Sequence, residues 1–149
     1  MGQTNEDDSS ATRRTSHWRE GTPVEIPKDI FERIRALCLA LPEVTVRVDA
    51  PLVAARSTAH SFEIRRRSFC LLIALEGAEG GSVPQLVLRA NPGQRHALLS
   101  VGHTFYRSRA GRDRIRVLLT DDTDWEEIYD LVSESYRILA PKKLTARLD

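Results

Sequence analysis

The chain is poor in the residues that build most recognisable sites. Only two cysteines occur in 149 residues, Cys38 and Cys70, each inside an apolar run. Neither belongs to a CxxC pair, and no set of four ligands at zinc spacing can be assembled. Two reduced, buried thiols packing as small hydrophobes are therefore expected, which suits a cytoplasmic location. No apolar run is long enough to span a bilayer, and none follows Met1, so neither a membrane anchor nor a secretion signal is expected. The four histidines, His17, His60, His96 and His103, fall in no HExxH pattern. Ser100 and His103 are close in sequence, yet no strained nucleophile turn surrounds the serine. The glycine-rich "EGAEGGS" (76–82) lacks the lysine of a phosphate loop and reads as a flexible hairpin connection. These absences leave no defensible catalytic set. The expectation is a protein without enzymatic activity, cofactor or resident metal.

What is present is an ordinary globular composition, 41% hydrophobic and 29% charged. Residues 1–22 have almost nothing to bury and are expected to form a disordered leader, with Trp18 the exception. A domain is expected over residues 23–149. Pro27 suits the first turn of a helix in which Ile30, Ile34, Leu37, Cys38 and Leu41 recur at helical spacing, and Pro42 stops it. "VTVRV" (44–48) is a short strand or extended chain. "SFEIRRRSFCLLIAL" (61–75) predicts a hairpin turning at Arg65, Arg66 and Arg67. "QLVLRA" (85–90) predicts a further strand, 94–100 a short helix, and "RIRVLL" (114–119) a last strand. "DWEEIYDLVSESYRILAP" (124–141) predicts a long final helix, opened by a Thr123–Glu126 capping box and closed by Pro141. Trp125, Ile128, Val132, Ser135 and Leu139 make its buried stripe, with Tyr129 and Tyr136 beside it. The order α-β-β-β-α-β-α implies an α+β fold: a single, mainly antiparallel sheet with helices packed on one face.

Several of these segments together resemble the MmcQ/YjbR family of small bacterial proteins. The matching residues are "LPEV" (41–44) after the first helix, the hairpin "SFEIRRRSFCLL", "DW" at Asp124–Trp125, "SYR" at Ser135–Arg137 and "APKKL" (140–144). The resemblance covers residues 28 to 148. It implies a double-wing, frataxin-like α+β fold and a DNA-binding role, with no enzyme activity. One departure stands out. Members often carry a glycine–tryptophan pair leading into the last strand, whereas here Gly111 is followed by Arg112, Asp113 and Arg114. A pocket lined by that ring would be missing from this chain.

The formal net charge of +1 hides strong local imbalance. Between Arg89 and Arg116 there are seven arginines (89, 95, 107, 109, 112, 114 and 116) against a single acid, Asp113, leaving a local +6. Residues 121–134 carry seven acids and no base. Asp122, Glu126 and Asp130 are spaced four apart, a spacing that could gather carboxylates, but an acidic first turn is what the helix dipole selects in any case. The expected DNA contacts are two wings: Arg65, Arg66 and Arg67 in one, Arg107, Arg109, Arg112 and Arg114 in the other. Arginine suits phosphate because its planar fork bonds two oxygens, so contacts would be to the backbone and specificity low. The alternative is a small-molecule or protein-interaction module using the groove between helices and sheet. A monomer is expected, because no apolar stripe is left over once the core is assigned.

Overall fold

Proline brackets the first helix of this protein, and one end behaves as the sequence predicts. In a computed structural model that describes residues 23–49, 59–77, 80–108 and 110–149, α1 spans Lys28–Leu39. Pro27 stands one place earlier than expected, at the N-cap with φ −56° and ψ 137°, where its carbonyl accepts from the Phe31 N–H at 2.9 Å. The expected leader over residues 1–22, with Trp18, and the wing residue Arg109 lie outside the described residues.

The strands are β1 (Pro23–Val24), β2 (Thr45–Asp49), β3 (Ala59–Ile64), β4 (Arg67–Glu76), β5 (Ser82–Arg89), β6 (Phe105–Arg107) and β7 (Arg114–Leu118). All pairings are antiparallel, in the order β2-β3-β4-β5-β7-β6, with β1 pairing β4 beyond the end of β3. This is the expected α+β architecture. "VTVRV" forms a strand, and β1 and β6 are short additions that three residues or fewer of pattern could not announce. The remaining helices are α2 (Pro92–Val101), α3 (Trp125–Leu139) and α4 (Lys142–Thr145), followed by a 3-10 turn at Ala146–Leu148. No helix among the described residues is long and apolar enough to cross a membrane.

Alternation along the strands sends one set of side chains under α1 and α3. Phe62, Ile64, Leu72, Leu86, Leu88, Ile115 and Val117 meet Ile34, Cys38, Ile128, Val132 and Tyr136 there, nearly all without solvent exposure. Ala59, Ile73 and Leu75 are buried on the other face of the sheet. Cys38 and Cys70 are free thiols that meet in the main core. Burial pushes the Cys38 thiol well up from its ordinary value, and its contact with Cys70 adds to the effect.

A bulge interrupts the β3–β4 ladder. Phe62 pairs Cys70 and Glu63 pairs Ser68, so Phe69 has no partner across the strands. The extra residue lets Phe69 and Cys70, neighbours in sequence, both enter the main core. It also strands the Phe69 carbonyl, and α3 answers with Ser135. The Ser135 hydroxyl donates to the Phe69 carbonyl and accepts from the Arg89 N–H at 2.8 Å. A serine in an otherwise apolar stripe is thus the pin between helix and bulge.

The cap of α3 shifts by one residue from the expected capping box. Asp124, not Thr123, is the N-cap, its carboxylate accepting from the Glu126 and Glu127 N–H groups at 3.0 and 3.3 Å. Thr123 turns back to accept from the Thr120 N–H at 2.7 Å. A charged acceptor facing the positive helix end is the stronger cap where both residues are available.

Candidate basic interface

The register decides where the arginines go. β4 begins at Arg67, β5 ends at Arg89, β7 begins at Arg114 and β6 ends at Arg107. Arg89 pairs with Arg114, and Cys70 with Leu88, so all four strand ends lie along one end of the sheet. Neighbouring strands are about 4.8 Å apart, which puts β6 roughly 15 Å from β4. The described members of the two expected wings therefore share one end of the sheet.

The first wing is a tight turn. Ile64 pairs with Arg67, leaving Arg65 and Arg66 as the two central residues, with φ of 54° and 69°. Positive φ at both positions is the type I′ hairpin geometry, for which Asn-Gly is the favoured pair. Two arginines in the left-handed region cost on the order of 1 kcal/mol each. Arg65 is partly committed: its guanidinium lies 3.1 Å from the Glu43 carboxylate, itself presented by a residue at φ 61°. Arg66 and Arg67 are exposed, and among the described residues their guanidinium groups have no partner.

The middle of the basic end is structural. The Arg89 side chain is only 10% exposed; it donates through Nε to the Ser68 carbonyl at 3.0 Å and through Nη1 to Asp113 at 2.8 Å. Burial lowers its proton affinity below the usual arginine value; Arg114 and Arg67 push the same way, and Asp113 opposes them. Arg89 thus lies within reach of charges from both wings. Arg114 is itself partly withdrawn. It is 26% exposed, 3.8 Å from Asp113, with a buried Nε that lacks a hydrogen-bond partner among the described residues. Asp113 thus serves as the counter-charge for Arg89 and Arg114.

The far part of the second wing is a cleft. Pro92, Arg95, His96, Leu99 and Ser100 of α2 face Arg107 and Arg112 across a space of about 460 Å³. Arg95 donates through Nε to the Arg114 carbonyl at 2.9 Å, while the Arg107 and Arg112 guanidinium groups have no partner among the described residues. Neither Arg95 nor His96 belongs to the expected wings, although the spacing of Arg95 with Leu99 and His96 with Ser100 places both pairs on neighbouring helix rows. The Ser100 hydroxyl donates to the His96 carbonyl at 2.9 Å.

The acids of residues 121–134 do not neutralise this surface. Among the described residues, no ion pair joins them to the arginines between 89 and 116. They begin where β7 ends, at the opposite end of the sheet, and no group of three or more His, Cys, Asp or Glu side chains among the described residues could hold a metal ion.

The remaining motifs hold this end together. Tyr136 is fully buried; its ring meets Phe69 edge-on at 5.4 Å and its hydroxyl donates to the Pro42 carbonyl at 2.7 Å. Burial and then the Glu43 carboxylate raise its proton affinity, against the nearby Arg147 and Arg65. Tyr129, beside the stripe in sequence, is half exposed. "LPEV", the hairpin and "SYR" thus converge on one joint: Pro42 with Tyr136, Phe69 with Ser135 and Tyr136, Glu43 with Arg65.

Comparison with curated proteins and with solved structures returns no match. The family model YjbR matches residues 39–138, from the end of α1 to the last turn of α3. That span contains the whole joint and nearly all of the sheet, and on it the chain belongs to the YjbR family.

Proposed function

We propose that the protein binds duplex DNA with low sequence specificity, through backbone phosphates laid along the arginine end of the sheet. One observation carries the reading: the strand register gathers two sequence-distant arginine groups on one end, with Arg66, Arg67, Arg107 and Arg112 left without intramolecular counter-charges among the described residues. Guanidinium groups spread over about 15 Å match about four phosphates of one strand at its 3.4 Å rise. No base-reading helix is needed. The contacts position and attract, and discriminate little.

Not every wing arginine is equally available. Arg65 is shared with Glu43, and Arg114 is partly buried beside Asp113. About four phosphate contacts give a slope of log K against log salt of roughly −3 to −4. Fluorescence anisotropy on short duplexes across a salt series measures it. A flat salt response, or no binding at low salt, removes the reading. A binding role rather than catalysis is favoured because the Ser100 hydroxyl, close in sequence to His103, is turned onto a helix carbonyl.

A further inference from the structure

The α2–β6 cleft differs from two other concavities of similar size among the described residues in the sign of its charge. A cleft of about 470 Å³ beside α3 is lined by Asp130 and Glu134 as well as Arg137, and one of about 580 Å³ at the start of α1 by Glu25 and Lys28. The α2–β6 cleft gathers Arg95, His96, Arg107 and Arg112, with no acid among the described residues of its lining. Its volume falls in the usual range for small-ligand sites.

We propose that this cleft binds a phosphomonoester carried on a nucleotide, either free or as the 5′-phosphorylated end of a strand. A monoester carries about −1.5 to −2 charges at neutral pH and offers three terminal oxygens. A backbone diester carries one charge and two free oxygens. Three guanidinium groups converging on one concave surface match the terminal group, since each can fork two oxygens. Arg95 is pre-positioned: its Nε is held by the Arg114 carbonyl, which leaves four of its five N–H donors. Arg107 on β6 and Arg112 in the β6–β7 connection approach from the opposite wall. Pro92 and Leu99 supply an apolar side on which a sugar or base can rest. Ser100 contributes shape only, its hydroxyl proton being committed to the His96 carbonyl. The site shares Arg107 and Arg112 with the backbone interface but does not depend on it.

Isothermal titration with adenosine 5′-monophosphate, adenosine and inorganic phosphate tests the free ligand. Anisotropy with 5′-phosphorylated and 5′-hydroxyl duplexes tests the strand end. The monophosphate should bind and adenosine should not, or the 5′-phosphorylated duplex should bind at least tenfold tighter than its 5′-hydroxyl twin. The first result identifies a free nucleotide, the second a strand end, and either supports the shared chemistry. The double variant Arg107→Gln/Arg112→Gln should lose the effect at least tenfold while keeping the wild-type circular dichroism, and Lys28→Gln at the distant end should keep it. Inorganic phosphate binding as tightly as the nucleotide would overturn the nucleotide assignment. Equal binding of both duplexes with no heat from the monophosphate, or an unchanged affinity in the double variant, would overturn the proposal outright. Failure of the backbone reading looks different: neither duplex binds at low salt, while the monophosphate arm still responds.

Discussion

The two ends of the sheet are built from the same kind of material and put to different uses. At one end, Asp121, Asp122, Asp124, Glu126 and Glu127 surround the start of α3. At the other, arginines from β4, β5, β6, β7 and α2 stand together. The acids have a local explanation, because Asp124 caps the helix and its neighbours face the positive dipole end. Only part of the arginine set has one. Arg89 and Arg95 bind backbone carbonyls and Arg65 binds Glu43, but Arg66, Arg67, Arg107 and Arg112 have no counter-charge among the described residues. Charge beyond structural need at one end, and charge absorbed by structure at the other, is what separates a candidate interface from a solvated face.

That contrast can be broken in four places. The largest effect is expected at the joint behind the arginines. Tyr136→Ala removes a fully buried ring and should cost about 3–5 kcal/mol, and Tyr136→Phe, which leaves the Pro42 carbonyl unpaired, about 1–2 kcal/mol. Urea titrations compare these with Trp125→Ala at the acidic end, where the ring is only partly buried and lies 4.5 Å beneath the Arg33 guanidinium. A Trp125 loss as large as that of Tyr136 would mean the two ends are equally integral. Next comes charge: Arg66→Glu with Arg112→Glu should weaken duplex binding roughly 30- to 100-fold at low salt, since each substitution turns a phosphate contact into a repulsion. Loss of less than threefold would show that the arginine end is not the contact surface.

Smaller effects sharpen the picture. Replacing Arg65-Arg66 by Asn-Gly should stabilise the protein by about 1 kcal/mol, by relieving left-handed strain, while binding weakens. Stability and affinity moving together would contradict the idea that this turn holds arginine at a structural cost. Smallest of all, Glu127→Gln should change stability by less than about 0.5 kcal/mol and duplex affinity by less than twofold, because the carboxylate is exposed and far from the arginines. A larger gain in affinity would mean that the acidic end reaches the nucleic acid after all.

The elements that periodicity governs were legible in the sequence. The stripes of α1 and α3 and the alternation in "RIRVLL" each report their own burial, so helix and strand identities follow from local spacing. The run of three arginines concealed which two residues form the turn, since a two-residue loop depends on how Ile64 and Arg67 pair. The Phe69 bulge was equally hidden, because an unpaired residue exists only relative to a partner strand. The cleft was the least legible. Arg95, Arg107 and Arg112 converge through the placement of β7 between β5 and β6, and no local pattern states that order. Ser135 left a signal that the stripe alone did not decode: a polar residue where an apolar one is demanded marks the pin at the bulge.

The meeting of Cys38 and Cys70 gives the molecule a gauge of its own breathing. Both sulfur atoms are shut in between α1 and the centre of the sheet, so an alkylating reagent reaches them only when the helix lifts away. With the closed form inert, the labelling rate of the native protein divided by that of the unfolded chain reads the free energy of lifting directly, without an introduced probe. Repeated with DNA or nucleotide present, the same measurement tells whether occupancy of the arginine end stiffens a core several side chains away.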